Sequence, residues 1–129
     1  MKRAELPDDV RRFILTSIPS VPYLESILLL RQESASTWCS SQLARRLYLQ
    51  EPQAAGLLQA LEAAGIATRV PEMAGDYRYL PSKALADMLD RVAKHYASDL
   101  LAVTDLIHSS LNNKRAFQFA DAFRWRKDS

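Results

Sequence analysis

Residues 40–49, SSQLARRLYL, and 51–65, EPQAAGLLQALEAAG, decide how this chain is read. Ser40 and Ser41 each suit a helix N-cap, where a side-chain oxygen takes an unsatisfied backbone N–H. From Ser41 to Leu49 the spacing predicts a short helix that buries Leu43, Ala44 and Leu47 and leaves Gln42, Arg45 and Arg46 outward. Glu51 and Pro52 open a second helix, since an acid and a proline are both favoured in a first turn. Ala54, Leu57, Leu58 and Leu61 share its core face, and Gly65 fits the left-handed residue past its end. Two extended runs follow, IATRV (66–70) and YRYLP (77–81), around the turn MAGD (73–76).

Working outward, Pro7, Asp8 and Asp9 start an earlier helix whose stripe is Val10, Phe13, Ile14 and Ile18. Pro19 and Pro22 break the chain. Tyr23–Gln32 is apolar on nearly every side, as a central core helix would be. Ser34–Thr37 reads as a polar loop and Trp38 as a core aromatic beside the next helix start. After Pro81 a long helical stretch is expected over roughly 82–111. Leu89, Val92, Tyr96, Leu100, Val103 and Ile107 recur along it in steps of three and four. Thirty helical residues would reach about 45 Å, so this stretch must bend back or pack against a second copy. Residues 116–126 form a candidate last helix, with Phe117, Ala120 and Phe123 on one side.

The composition is that of a folded chain, with 48% apolar and 25% charged residues and a net charge of +2. Cys39 is the only cysteine, which excludes an intrachain disulfide and fits a reducing compartment. The N-terminus MKRAELPDD lacks an apolar signal core, and apolar runs such as Ile27–Leu30 are far too short to cross a membrane, so the cytoplasm is the expected location. His95 with Asp99, and Asp105 with His108, offer two ligands each and no third, so no metal or other cofactor is implied. No phosphate loop, nucleophile elbow or metalloprotease helix occurs, and no enzyme is expected.

Helix, turn, helix, hairpin is the sequence outline of a winged helix-turn-helix. Over about residues 21–81 the chain resembles bacterial winged helix-turn-helix transcriptional regulators, through Trp38–Leu49, Leu57-Leu-Gln-Ala-Leu61 and Ala64-Gly-Ile66. The stretch that follows is similar in layout to the dimerising helix of MarR-like or PadR-like regulators. The expected fold is therefore mainly α. Residues 1–81 would form a winged helix-turn-helix domain with a two-stranded β-hairpin wing, and 82–129 a long C-terminal helical extension. The resemblance implies a homodimer, through Leu89, Val92, Tyr96, Leu100, Val103 and Ile107, that binds double-stranded DNA. By position, Gln53 and Gln59 would face bases, Arg45 and Arg46 phosphates, and Arg69 and Arg78 would serve the wing.

The charge pattern keeps a second reading open. Residues 40–81 carry four cations (Arg45, Arg46, Arg69, Arg78) against four acids (Glu51, Glu62, Glu72, Asp76), and affinity for DNA comes largely from cations. The outer face Pro52, Gly56, Gln59 and Ala63 is small and uncharged, so it would equally admit a protein helix. The alternative function is thus a protein-interaction module without direct DNA binding. Lys114, Arg115, Arg124, Arg126 and Lys127, interleaved with aromatics, suit either a nucleic-acid contact or a docked helix with a solvated basic face.

Overall fold

The computed structural model describes residues 6–73 and 75–109. They are mainly helical, with a small antiparallel sheet. In order, the elements are α1 (Asp8–Ser17), α2 (Val21–Gln32), β1 (Thr37–Trp38), α3 (Ser40–Leu47), α4 (Glu51–Ala63), β2 (Ala67–Arg69), β3 (Tyr77–Tyr79) and α5 (Lys83–Ser98). A further helix, α6, spans Leu100–Ser109. The candidate helix at 116–126 and the basic aromatic tail lie outside the described residues.

The chain divides into two compact units: residues 22–93, and residues up to 21 together with those from 94 onward. The first holds the bulk of the sheet and helix packing. Tyr23, Leu24, Ile27 and Leu30 of α2 are buried with Trp38, Leu43, Leu58, Leu61, Ile66, Leu89 and Val92. Each such aliphatic side chain contributes about 1.5–3 kcal/mol by leaving water. Ser26, the buried polar residue of this core, is satisfied within its own helix by donating to the Pro22 carbonyl at 2.8 Å. In the second unit, α1 begins at Asp8 and Asp9, with the Asp9 carboxylate accepting the Val10 N–H at 2.9 Å. Val10, Ile14 and Ile18 recur every fourth residue and are buried, as are Val103 and Ile107 of α6.

The sheet differs from the expected two-stranded hairpin. It has three strands in the order β1-β3-β2, so β3 is central. Thr37 sits opposite Arg78 and Trp38 opposite Tyr77, while Ala67, Thr68 and Arg69 face Tyr79, Arg78 and Tyr77. Thr37, expected in a polar loop, is recruited by the Asp76 carboxylate, to which its hydroxyl donates at 3.1 Å. The turn is closed by Val70 N–H to the Asp76 carbonyl at 2.9 Å, and Gly75 adopts φ +86°, which an L side chain resists.

The long helix expected over 82–111 is interrupted. α5 starts where the Ser82 hydroxyl accepts the Leu85 N–H at 3.3 Å and stops at Ser98. Asp99 then accepts the Ala102 N–H at 3.2 Å on its side chain, acting as the N-cap from which α6 begins. The break also splits the apolar stripe: Leu100 is 52% exposed, whereas Val103 and Ile107 are buried.

Candidate nucleic-acid interface

The surface is built on α3, α4 and the β2–β3 hairpin, all within residues 22–93. Cys39, rather than either serine, is the N-cap of α3. Its backbone N–H donates to Gln42 Oε1 at 3.1 Å, and the Gln42 N–H points back to the sulfur. The Ser41 hydroxyl lies 3.2 Å from the same sulfur and, as the leading cause, lowers the thiol pKa; the Gln42 N–H adds to this. α3 buries Leu43 and Ala44 and leaves Gln42, Arg45 and Arg46 exposed, as expected from the spacing, whereas Leu47, expected in the core, is only half-buried.

Tyr48 makes the turn. It adopts the left-handed conformation, φ +57° and ψ +45°, and is 95% exposed. The Leu49 N–H then reaches back to the Ala44 carbonyl at 2.9 Å. α4 opens after Gln50 with Pro52 in its first turn, buries Ala54, Leu58 and Leu61, and ends before Gly65 at φ +78°. The Ile66 N–H closes this end on the Leu61 carbonyl at 2.9 Å. Leu57, expected in the core, is only half-buried. The outer face presents Gln53, Gly56, Gln59 and Ala63, all exposed and none charged. A Cβ at Gly56 would meet nothing within 4 Å, so no neighbour in this chain demands a glycine there.

The four arginines fall into two pairs. Arg46 binds Glu33 at 2.7 Å and lies over the Trp38 ring, 5.4 Å from its centre. Arg69 binds Glu62 at 3.2 Å and lies 5.7 Å from the centre of the Tyr77 ring. Arg45 and Arg78 are exposed and make no ion pair among the described residues. Arg78 shares the outer side of the sheet with Thr37 and Thr68, because its neighbours Tyr77 and Tyr79 turn to the other side. At the hairpin tip Pro71, Glu72 and Met73 are exposed.

A groove of about 500 Å³ opens beside α3, lined by Glu33, Ser36, Thr37, Trp38, Gln42, Arg45 and Arg46. Glu33, Ser36 and Thr37 were not among the expected site residues. Their only signal was a short polar run, which as a rule marks a solvated loop. Among the described residues the buried Trp38 Nε1 has no hydrogen-bond partner.

Of the six residues expected to join two copies, Leu89, Val92, Val103 and Ile107 are completely buried within one chain. Tyr96 is half-buried, while Leu100 and its neighbour Leu101 are exposed. Among the described residues no group of three or more His, Cys, Asp or Glu side chains is placed to hold a metal, and no single helix is long and apolar enough to cross a membrane. Comparison of the chain with protein-family models, curated proteins and solved structures finds no match to any of them.

Proposed function

We propose that residues 22–93 are a winged helix-turn-helix that binds double-stranded DNA, and that the chain acts as a dimeric transcriptional regulator. The observation that carries this reading is α4. It buries one face against its own unit and leaves Gln53, Gly56, Gln59 and Ala63 open along the other. Gln53 and Gln59 can each bond an adenine edge through two hydrogen bonds. Arg45 and Arg78, without an ion pair among the described residues, supply cations for phosphates. Arg46 and Arg69 can join them, because ion pairs as exposed as theirs are worth only about 0–1 kcal/mol and exchange readily for phosphate. Two copies would address half-sites about 34 Å apart.

The test is a fluorescence-anisotropy titration with random duplex DNA at low and physiological salt, with the mass followed by light scattering. Binding by a dimer that weakens steeply with salt supports the reading. An Arg45→Ala, Arg78→Ala double variant with unchanged affinity and salt slope refutes it.

One observation favours a second reading. The α4 face is uncharged and half of the nearby arginines are held by glutamates, as suits a protein-interaction module. On that reading Ala63→Trp abolishes capture of the protein partner, with little effect of salt. DNA binding by the wild-type chain at low salt that the same variant removes counts against it.

A further inference from the structure

The groove beside α3 plays no part in reading bases. Its volume, about 500 Å³, falls in the range of about 300–1,000 Å³ that small-molecule sites occupy. Its lining carries two guanidinium groups and one carboxylate. Glu33 is matched by Arg46 at 2.7 Å, so among the described residues the lining charge without a partner is that of Arg45, and it is open to an anion. A guanidinium fork meets a phosphate or carboxylate through two parallel hydrogen bonds. Gln42 adds directionality: its Oε1 is occupied by the Cys39 N–H, which leaves the amide NH₂ as a donor. Thr37 is the converse, since its hydroxyl hydrogen goes to Asp76 and only its lone pairs remain to accept from a ligand.

Arg46 supplies a second element. Glu33 holds its guanidinium at 2.7 Å with the central carbon 5.4 Å from the centre of the Trp38 ring, and the side chain is still half exposed. A guanidinium held in place and half exposed can stack a planar group, a mode in which guanidinium planes hold unstacked nucleobases. A guanidinium anchored by Glu33, a cation with no ion pair among the described residues and a directed amide donor all line one groove. A bare inorganic anion would use only the cation and leave most of the volume empty.

We infer that this groove binds a nucleoside phosphate, with its base on Arg46 and its phosphate on Arg45 and Gln42. Such a ligand has two sources, a free nucleotide or a nucleotide of a single strand. Occupancy engages the same arginines that would meet duplex phosphates, so ligand and duplex exclude each other. The binding stands on the groove alone; only the exclusion rests on the DNA reading above.

The experiment uses the full chain with Trp125→Phe, which leaves Trp38 as its one tryptophan. Tryptophan emission is titrated with AMP, with adenosine, with inorganic phosphate and with a short single-stranded oligonucleotide. The expected result is a saturable change with AMP below ~1 mM, a range typical of weak metabolite binding. Adenosine and phosphate should each bind at least tenfold more weakly, and Arg45→Ala, an exposed position, should weaken AMP by a similar factor. Saturation by the oligonucleotide but not by AMP assigns the same chemistry to a strand. No saturable change with either, or AMP binding that Arg45→Ala leaves intact, overturns the inference. In a parallel anisotropy titration the apparent duplex Kd should double when AMP equals its own Kd. An unchanged duplex Kd overturns the exclusion. AMP binding by a chain that never binds duplex removes the DNA reading and leaves the nucleotide site standing.

Discussion

Tyr48 offers a clean measurement of backbone cost. It holds φ +57° between α3 and α4 and is 95% exposed, so its side chain contributes almost no burial. An L residue in this region costs about 1–2 kcal/mol through crowding of Cβ against the carbonyl. Replacing it by glycine removes that cost but loosens the unfolded chain by about 0.4–1 kcal/mol. Tyr48→Gly should therefore stabilise the protein by about 0.5–1 kcal/mol. With an m-value of about 1.5 kcal/mol per M, the urea midpoint followed by circular dichroism should rise by about 0.3–0.7 M at unchanged slope. Tyr48→Ala serves as the control: it keeps the backbone cost, loses only an exposed ring, and should stay within about 0.5 kcal/mol of wild type. A midpoint that falls in the glycine variant, or alanine and glycine variants that behave alike, would refute the argument from conformation.

Three further outcomes follow from the same structure. Gly56→Ala fills open space in the interior of α4 and should raise stability by up to about 1 kcal/mol, while a partner backbone lying against that face would be pushed away. Stability and DNA affinity moving in opposite directions is the expected pattern, and a gain in both would show that the glycine serves no close approach. Tyr79→Phe removes a buried hydroxyl that has no hydrogen-bond partner among the described residues, and should stabilise the protein by about 1 kcal/mol at neutral pH. Burial first, then the Asp90 charge, against the opposing Arg31, raise the Tyr79 pKa above 10.0. Wild-type stability is thus unaffected by its ionisation below pH 10.0 and falls as pH rises through the folded value, and denaturation curves of the variant should show a shallower alkaline decline. Cys39 should react with iodoacetamide at a lower pH than an ordinary thiol, and Ser41→Ala should move the rate profile upward, as mass spectrometry of the adduct would record.

What the sequence made legible was whatever repeats or carries a strong local signal. Pro52, Gly65 and the spacing of Ala54, Leu58 and Leu61 place α4 almost to the residue. The features that were hidden depend on partners far away in the chain. β1 is too short for alternation to register and exists because Asp76 and β3 receive it. The Asp99 break lies within an unbroken apolar rhythm, and an aspartate in a helix looks the same as an aspartate starting one until its carboxylate is seen on Ala102. Cys39 outranks two better capping residues because Gln42 reciprocates with it. The candidate surface was legible as a set of positions, but not the ion pairs: nothing local links Arg46 to Glu33 across thirteen residues, or tells that Arg45 has no acid among the described residues.

The strand β1 bears on the order in which this unit assembles. Thr37 and Asp76 are 39 residues apart in sequence, and the pairing of Thr37 with Arg78 encloses α3, α4 and most of the hairpin. Closing so long a loop in a flexible chain is entropically unfavourable, and local contacts form sooner than distant ones. The helices and the β2–β3 turn must therefore come first, shortening the effective loop before β1 can dock. On this ordering, Thr37→Val should chiefly accelerate unfolding and leave the refolding rate nearly unchanged in stopped-flow measurements, and an equal slowing of refolding would place β1 in the nucleus instead. On this ordering a two-residue strand is a late clasp, recording that everything between its partners has already reached its native place.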